Sequence, residues 1–218
     1  MQASPRPRVK ICCIASAAEA RLAVSYGASA LGLVSRMPSG PGVISEEQIK
    51  EIAASIPPGV ASFLLTCEQD TTDIIAQQRR CRTNTLQLVD SLTRGSHDDL
   101  RRSLPGIGIV QVIHVVGPQS VEEACATARH VDAILLDSGN PSLHVKELGG
   151  TGRRHDWAFS GQIRERVQVP IFLAGGLNPG NVKQAIEQVG PFGLDICTGV
   201  RTNGHLDEAK LAALFSAL

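Results

Sequence analysis

Aromatic side chains are scarce in this 218-residue chain, which has one Trp, one Tyr and five Phe. That is too few for the stacking platforms on which single-strand nucleic-acid binders rest their bases. Net charge is also missing, because 21 Lys and Arg balance 21 Asp and Glu. Nothing therefore draws the whole molecule toward nucleic acid or an anionic membrane, and any anion must be bound locally. No apolar run is long enough for a membrane span or follows Met1–Arg8 as a signal peptide requires; the expectation is a cytoplasmic protein. The six cysteines, Cys12, Cys13, Cys67, Cys81, Cys125 and Cys197, include no CxxC, and their only close pair is adjacent. They read as reduced thiols rather than a disulfide framework. His97, His114, His130, His144, His155 and His205 show neither HxxxH nor HExxH spacing, so no metal site is expected.

What the chain does have is a core. Hydrophobic residues make up 43% and charged residues 19%, ordinary globular usage. Apolar, β-branched runs recur at Val9–Ile14, Ala30–Val34, Val60–Leu65, Thr85–Leu88, Gly108–Val115, Ala133–Leu136, Val169–Leu173 and Gly193–Ile196. Between them lie stretches of helical spacing: Ser16–Tyr26, Ser45–Ile56, Asp70–Cys81, His97–Ser103 (the weakest), Ser120–Arg129, Asp156–Val167, Pro179–Val189 and Asp207–Ala217. Ser45 with Gln48 has capping-box spacing, Asn178-Pro179 offers a cap followed by proline, and Gly27 supplies a stop. Eight β/α units of roughly 27 residues each fit a compact (β/α)8 TIM barrel, one α/β domain over residues 9–218 behind a flexible extension, residues 1–8. No GxGxxG follows the first strand, which argues against an open dinucleotide-binding sheet.

In such a barrel the reacting groups sit at the C-terminal ends of the strands. Strand alternation puts Cys12 and Cys13 on opposite sides of the sheet, one thiol facing the barrel and one the helix layer; a buried cysteine is also a common small hydrophobe. Asp137 follows the apolar run Ala133–Leu136. A carboxyl so placed gains proton affinity and suits a proton donor, although loop aspartates commonly cap turns. Gly149, Gly150 and Gly152 allow close backbone approach to a ligand, or tight turns. Gly175 and Gly176 after strand 7, with Thr198 and Gly199 after strand 8, predict a phosphate cradle of backbone N–H groups, helped by a short helix beginning after Gly199. His114 closes strand 5.

Taken in order, several segments resemble the phosphoribosylanthranilate isomerase family: Val9-Lys10-Ile11-Cys12, Leu86-Gln87-Leu88, Leu135-Leu136-Asp137-Ser138, Gly149-Gly150-Thr151-Gly152 with Asp156-Trp157, Leu173-Ala174-Gly175-Gly176-Leu177-Asn178-Pro179, and Asp195 with Thr198-Gly199-Val200. The resemblance implies an Amadori rearrangement of a small phosphorylated aminosugar without metal or organic cofactor, by a monomer or homodimer. It implies Cys12 as general base and Asp137 as general acid, with Lys10, Arg36, Gln87, His114, Gly150 and Thr151 around the substrate. Three departures stand out. Gly42 lies where the family carries the Arg that holds the anthranilate carboxylate, leaving Arg36 as the nearest substitute. Val89-Asp90 stands in place of the family's His-Gly, and Cys13 in place of the glycine after the catalytic Cys. Arg201 replaces a usual Glu and is expected close to the phosphate. A paralogue acting on another phosphorylated aminosugar remains an alternative, as does a barrel that binds a phosphometabolite without turnover.

Overall fold

The computed structural model describes residues 6–140, 143, 145–150 and 152–218. Thr151 and His144 lie outside them. Eight parallel strands close into a barrel in sequence order: β1 (Arg8–Ile11), β2 (Ala30–Val34), β3 (Ala61–Thr66), β4 (Thr85–Leu88), β5 (Gly108–His114), β6 (Ala133–Asp137), β7 (Ile171–Leu173) and β8 (Gly193–Ile196). The helices between and after them are α1 (Ala17–Ser25), α2 (Glu46–Ser55), α3 (Thr71–Cys81), α4 (His97–Ser103), α5 (Gln119–Thr127), α6 (Trp157–Arg166), α7 (Val182–Val189) and α8 (Glu208–Ser216). The fold is the (β/α)8 barrel expected from the alternation.

Strand alternation produces two cores. Outward residues such as Ile11, Leu31, Leu64, Leu86, Ile134 and Leu173 pack under the helices. Inward residues such as Ala30, Phe63, Val110, Val112, Leu135 and Phe172 fill the barrel. The helix starts follow local chemistry. Ser16 Oγ accepts from Glu19 N–H, and Ser45 and Gln48 form the reciprocal capping box. Gly27, at φ 109, turns the chain out of α1.

Several boundaries differ from the sequence reading, and those around the barrel mouth have local causes. β1 starts at Arg8, opposite Gly193, and stops at Ile11; Cys13 adopts φ 62, a left-handed conformation that ends the extended run. Asn178-Pro179 does not cap α7: Asn178 Oδ1 accepts from Gly180 N–H in a local turn, and the helix begins after Asn181. The short helix after β8 is one 3₁₀ turn, Thr198–Val200, starting at Thr198 rather than after Gly199. It leads into a small hairpin, β9 (Arg201–Thr202) and β10 (His205–Leu206), that periodicity did not reveal.

Candidate active site

A cavity of about 700 Å³ opens at the C-terminal ends of the strands, lined by Cys12, Cys13, Val34, Leu65, Gln87, Asp137 and Asp195. Its outer wall comes from Met37, Ser39, Gly40 and Pro41 after β2, Leu148, Gly149, Gly150 and Gly152 after β6, Gly175 and Gly176 after β7, and Thr198 after β8.

At the floor, register decides who meets whom. Lys10 of β1 lies opposite Asp195 of β8, and Lys10 Nζ ion-pairs Asp195 Oδ2 at 2.8 Å, with Lys10 fully buried. Burial works against the Lys10 charge, but Asp195 and Cys12 outweigh it and raise its pKa. Lys10 thus sits behind the cavity wall rather than in it. One step along β1, on the same inward face, Cys12 lines the cavity. Room for both side chains comes from Gly32, where a Cβ would lie 2.8 Å from Cys12 Sγ and 3.1 Å from Lys10 Nζ. Cys12 has its pKa lowered, first by a hydrogen bond with the Cys13 thiol and then by Lys10, against the cost of burial. The surroundings favour ionisation of this thiol.

Asp137 ends β6 with its Oδ1 accepting from Ser138 N–H at 2.7 Å. Burial raises its pKa, against the Ser138 hydrogen bond and the nearby His114. His114 faces Asp137 in register but is not part of the cavity wall; its Nε2 lies 2.9 Å from Val89 O. Gly149 closes over the acid, since a Cβ there would stand 2.7 Å from Asp137 Oδ2. Two buried acceptors in the wall, Gln87 Oε1 and Asp195 Oδ1, have no hydrogen-bond partner within the protein. Buried acceptors are costly when unpaired.

Between Asp137 of β6 and Asp195 of β8, Gly175 (φ 85) and Gly176 (φ 65) follow β7 in succession, with Gly152 and Thr198 also in the wall. The glycines are required by loop packing as well as by any ligand: a Cβ on Gly176 would meet Gly152 O at 2.9 Å, and one on Gly199 would meet Leu177 O at 2.0 Å. Gly199 therefore seats the 3₁₀ turn against the β7 loop and does not itself line the cavity.

A model of the N-(5'-phosphoribosyl)anthranilate (PRA) isomerase family matches residues 9–217. The chain belongs to this family. It is 34% identical to N-(5'-phosphoribosyl)anthranilate isomerase 2 of Methanosarcina mazei, over 94% of this chain and 90% of that one. It is also 34% identical to the isomerase of Halobacterium salinarum, over 94% and 93%. Among solved structures, the Thermotoga maritima isomerase superimposes with a TM-score of 0.80 at 28% identity, covering 97% of this chain and 98% of that one. A phosphoribosyl anthranilate isomerase in complex with reduced 1-(o-carboxyphenylamino)-1-deoxyribulose 5-phosphate gives 0.77 at 27%, over the same shares. Membership places the protein among the aldose–ketose isomerases of tryptophan biosynthesis.

Against the family pattern, the three departures acquire physical explanations. Cys13 does not face the helix layer as alternation predicted. Its φ of 62 turns the thiol into the mouth, 2.8 Å from Cys197 Sγ; the family's glycine suits that conformation. Gly42, at φ 80, would place a Cβ 2.4 Å from Cys13 Cβ. The two positions have exchanged bulk: Cys13 fills space that a side chain at 42 would need. Arg36, the expected substitute, is exposed and outside the cavity wall.

Arg201 is also misplaced by the sequence reading. It is buried, donates to Cys12 O at 3.1 Å and Cys13 O at 2.6 Å, and pairs with Glu19 at 3.2 Å. It clamps the end of β1 rather than serving a phosphate. Arg201→Met should remove its bonds to the Cys12 and Cys13 carbonyls and leave Glu19 with only the Ala15 and Leu206 N–H groups, destabilising the fold by about 3 kcal/mol, the usual cost of breaking a buried pair. Urea denaturation checks this, and an unchanged midpoint would remove the clamp.

Proposed function

We propose that the protein converts N-(5'-phosphoribosyl)anthranilate to 1-(o-carboxyphenylamino)-1-deoxyribulose 5-phosphate in the cytoplasm, with Cys12 as general base and Asp137 as general acid. The carrying observation is that these two groups face one cavity with their proton affinities moved toward each other, the thiol's down and the carboxyl's up. Asp137, held protonated by burial, donates to the furanose ring oxygen, and the opened sugar becomes a Schiff base. The Cys12 thiolate, held by Lys10 and the Cys13 thiol, takes the C2 proton. The resulting enolamine tautomerises to the ketose. Gln87 Oε1 and Asp195 Oδ1 accept from sugar hydroxyls, and the backbone at Gly175, Gly176 and Thr198 receives the phosphate. Purified protein added to fresh PRA should abolish the anthranilate-type fluorescence in a time-dependent way; no turnover by folded protein would reject this reading.

One observation favours a second substrate, another phosphorylated aminosugar. No Lys or Arg is among the described residues lining the cavity. At the mouth, Lys146 is paired with Asp90 and Arg153 with Glu147. A missing charge-assisted pair costs roughly 1.5–3 kcal/mol, one to two powers of ten in affinity. Turnover of the analogue lacking the carboxylate at a KM equal to that for PRA would favour this reading. The close approach of positions 13 and 42 offers a direct check. Gly42→Arg alone should destabilise the protein, through its φ of 80 and by colliding with Cys13; adding Cys13→Gly removes the side-chain part of that collision, and should recover part of the stability and lower the KM for PRA about tenfold. Arg36→Ala should leave that KM unchanged.

A further inference from the structure

The proposed chemistry uses one thiol, yet three line the mouth. Cys13 follows Cys12 in the chain, and its Sγ lies 3.6 Å from Pro41 O and 2.8 Å from Cys197 Sγ, across 184 residues of sequence. All six cysteines are free, but this pair needs only a small approach to reach the ~2.05 Å of an S–S bond. The backbone already delivers the alignment, since φ 62 at Cys13 swings its thiol off the strand and toward the end of β8. Cys197 is partly exposed and lines the cavity, so a solute can reach it.

We propose that Cys13 and Cys197 form a reversible disulfide with a low-molecular-weight disulfide as oxidant, and that the bond attenuates the enzyme by locking together two residues of the cavity wall beside Cys12. The Cys197 thiolate attacks one sulfur of the oxidant and expels a small thiolate. Cys13 then gives its proton to that leaving thiolate and attacks the Cys197 sulfur, expelling the second half. Two protein thiols and one small disulfide become one protein disulfide and two small thiols. Exposed disulfides are the labile ones in reducing compartments. The bond also consumes the Cys13 thiol hydrogen, a contributor to the lowered pKa of Cys12, so the pH at which Cys12 ionises moves upward. Formation of the bond is independent of the isomerase reading; the loss of rate rests on it.

The test incubates the reduced full chain with oxidised glutathione, blocks remaining thiols and maps linked peptides by mass spectrometry, with turnover of PRA followed in parallel. The expected result is a Cys13–Cys197 linked peptide, a several-fold fall in rate at neutral pH with the acid limb of the pH profile moved upward, and recovery with dithiothreitol. Cys197→Ser, compared with its own untreated rate, should show neither linkage nor loss. A link involving Cys12, a stable glutathione adduct without the Cys13–Cys197 bond, or equal sensitivity in Cys197→Ser overturns the proposal. So does the expected bond with an unchanged rate and pH profile. Should wild type prove inactive before oxidation, the isomerase reading fails while the peptide map still decides on the bond.

Discussion

Cys12→Ala should fold normally and lose at least about 100-fold in kcat, the scale expected when a general base is removed. The thiol reaches a cavity shared with Asp137, and the other group that Lys10 holds there, Asp195, is engaged as its ion-pair partner. Cys13 separates two roles that sequence alternation had run together. It lies in the cavity wall, but its pKa is raised, first by its hydrogen bond with Cys12, then by that with Cys197 and by burial. Those contacts disfavour its thiolate relative to that of Cys12. Cys13→Gly should keep most of the maximal rate, relieve the positive-φ strain and shift the acid limb to higher pH. Steady-state rates and pH profiles of the two variants check this. Equal loss of maximal rate in both, with both folded, would remove the assignment of Cys12 as the base.

Asp137→Asn should bind substrate with nearly unchanged affinity and lose two or more powers of ten in turnover. The amide keeps the shape and the Ser138 hydrogen bond, but it cannot deliver a proton as an acid does. A Kd from equilibrium binding beside a single-turnover rate separates the two effects. An unchanged rate at saturating substrate would move the acid elsewhere, and His114, register partner of Asp137, would be the first place to look.

Much of this was legible in the chain because it depends on local rules. The alternation of apolar runs with helical spacing specified the barrel, and the barrel specified which residues reach its mouth. Strand ends singled out Cys12, Cys13 and Asp137, and the family resemblance chose Cys12 between the two thiols. What could not be read depends on pairings far apart in sequence or on single backbone angles. Lys10 meets Asp195 only through β1–β8 register, so Asp195 could be seen as a motif residue but not as the lysine's partner. Arg201 turns inward because Glu19 and the Cys12 and Cys13 carbonyls lie within its reach, contacts no spacing rule contains. Cys13 faces the mouth because one residue adopts φ 62, where alternation assumed a continuing strand. Gly32 did leave a signal, a glycine inside a strand, which commonly marks close approach by another group.

The pH dependence of kcat/KM for PRA tests the acid–base pair most directly. The base works deprotonated, so the rate falls as pH drops through the lowered pKa of Cys12. The acid works protonated, so the rate falls as pH rises through the raised pKa of Asp137. The account predicts a bell whose two limbs, belonging jointly to the coupled pair, both lie between the ~3.9 of a free aspartate and the ~8.5 of a free thiol. A rate that climbs steadily through pH 9, or one that is flat from pH 5 to 9, would contradict it.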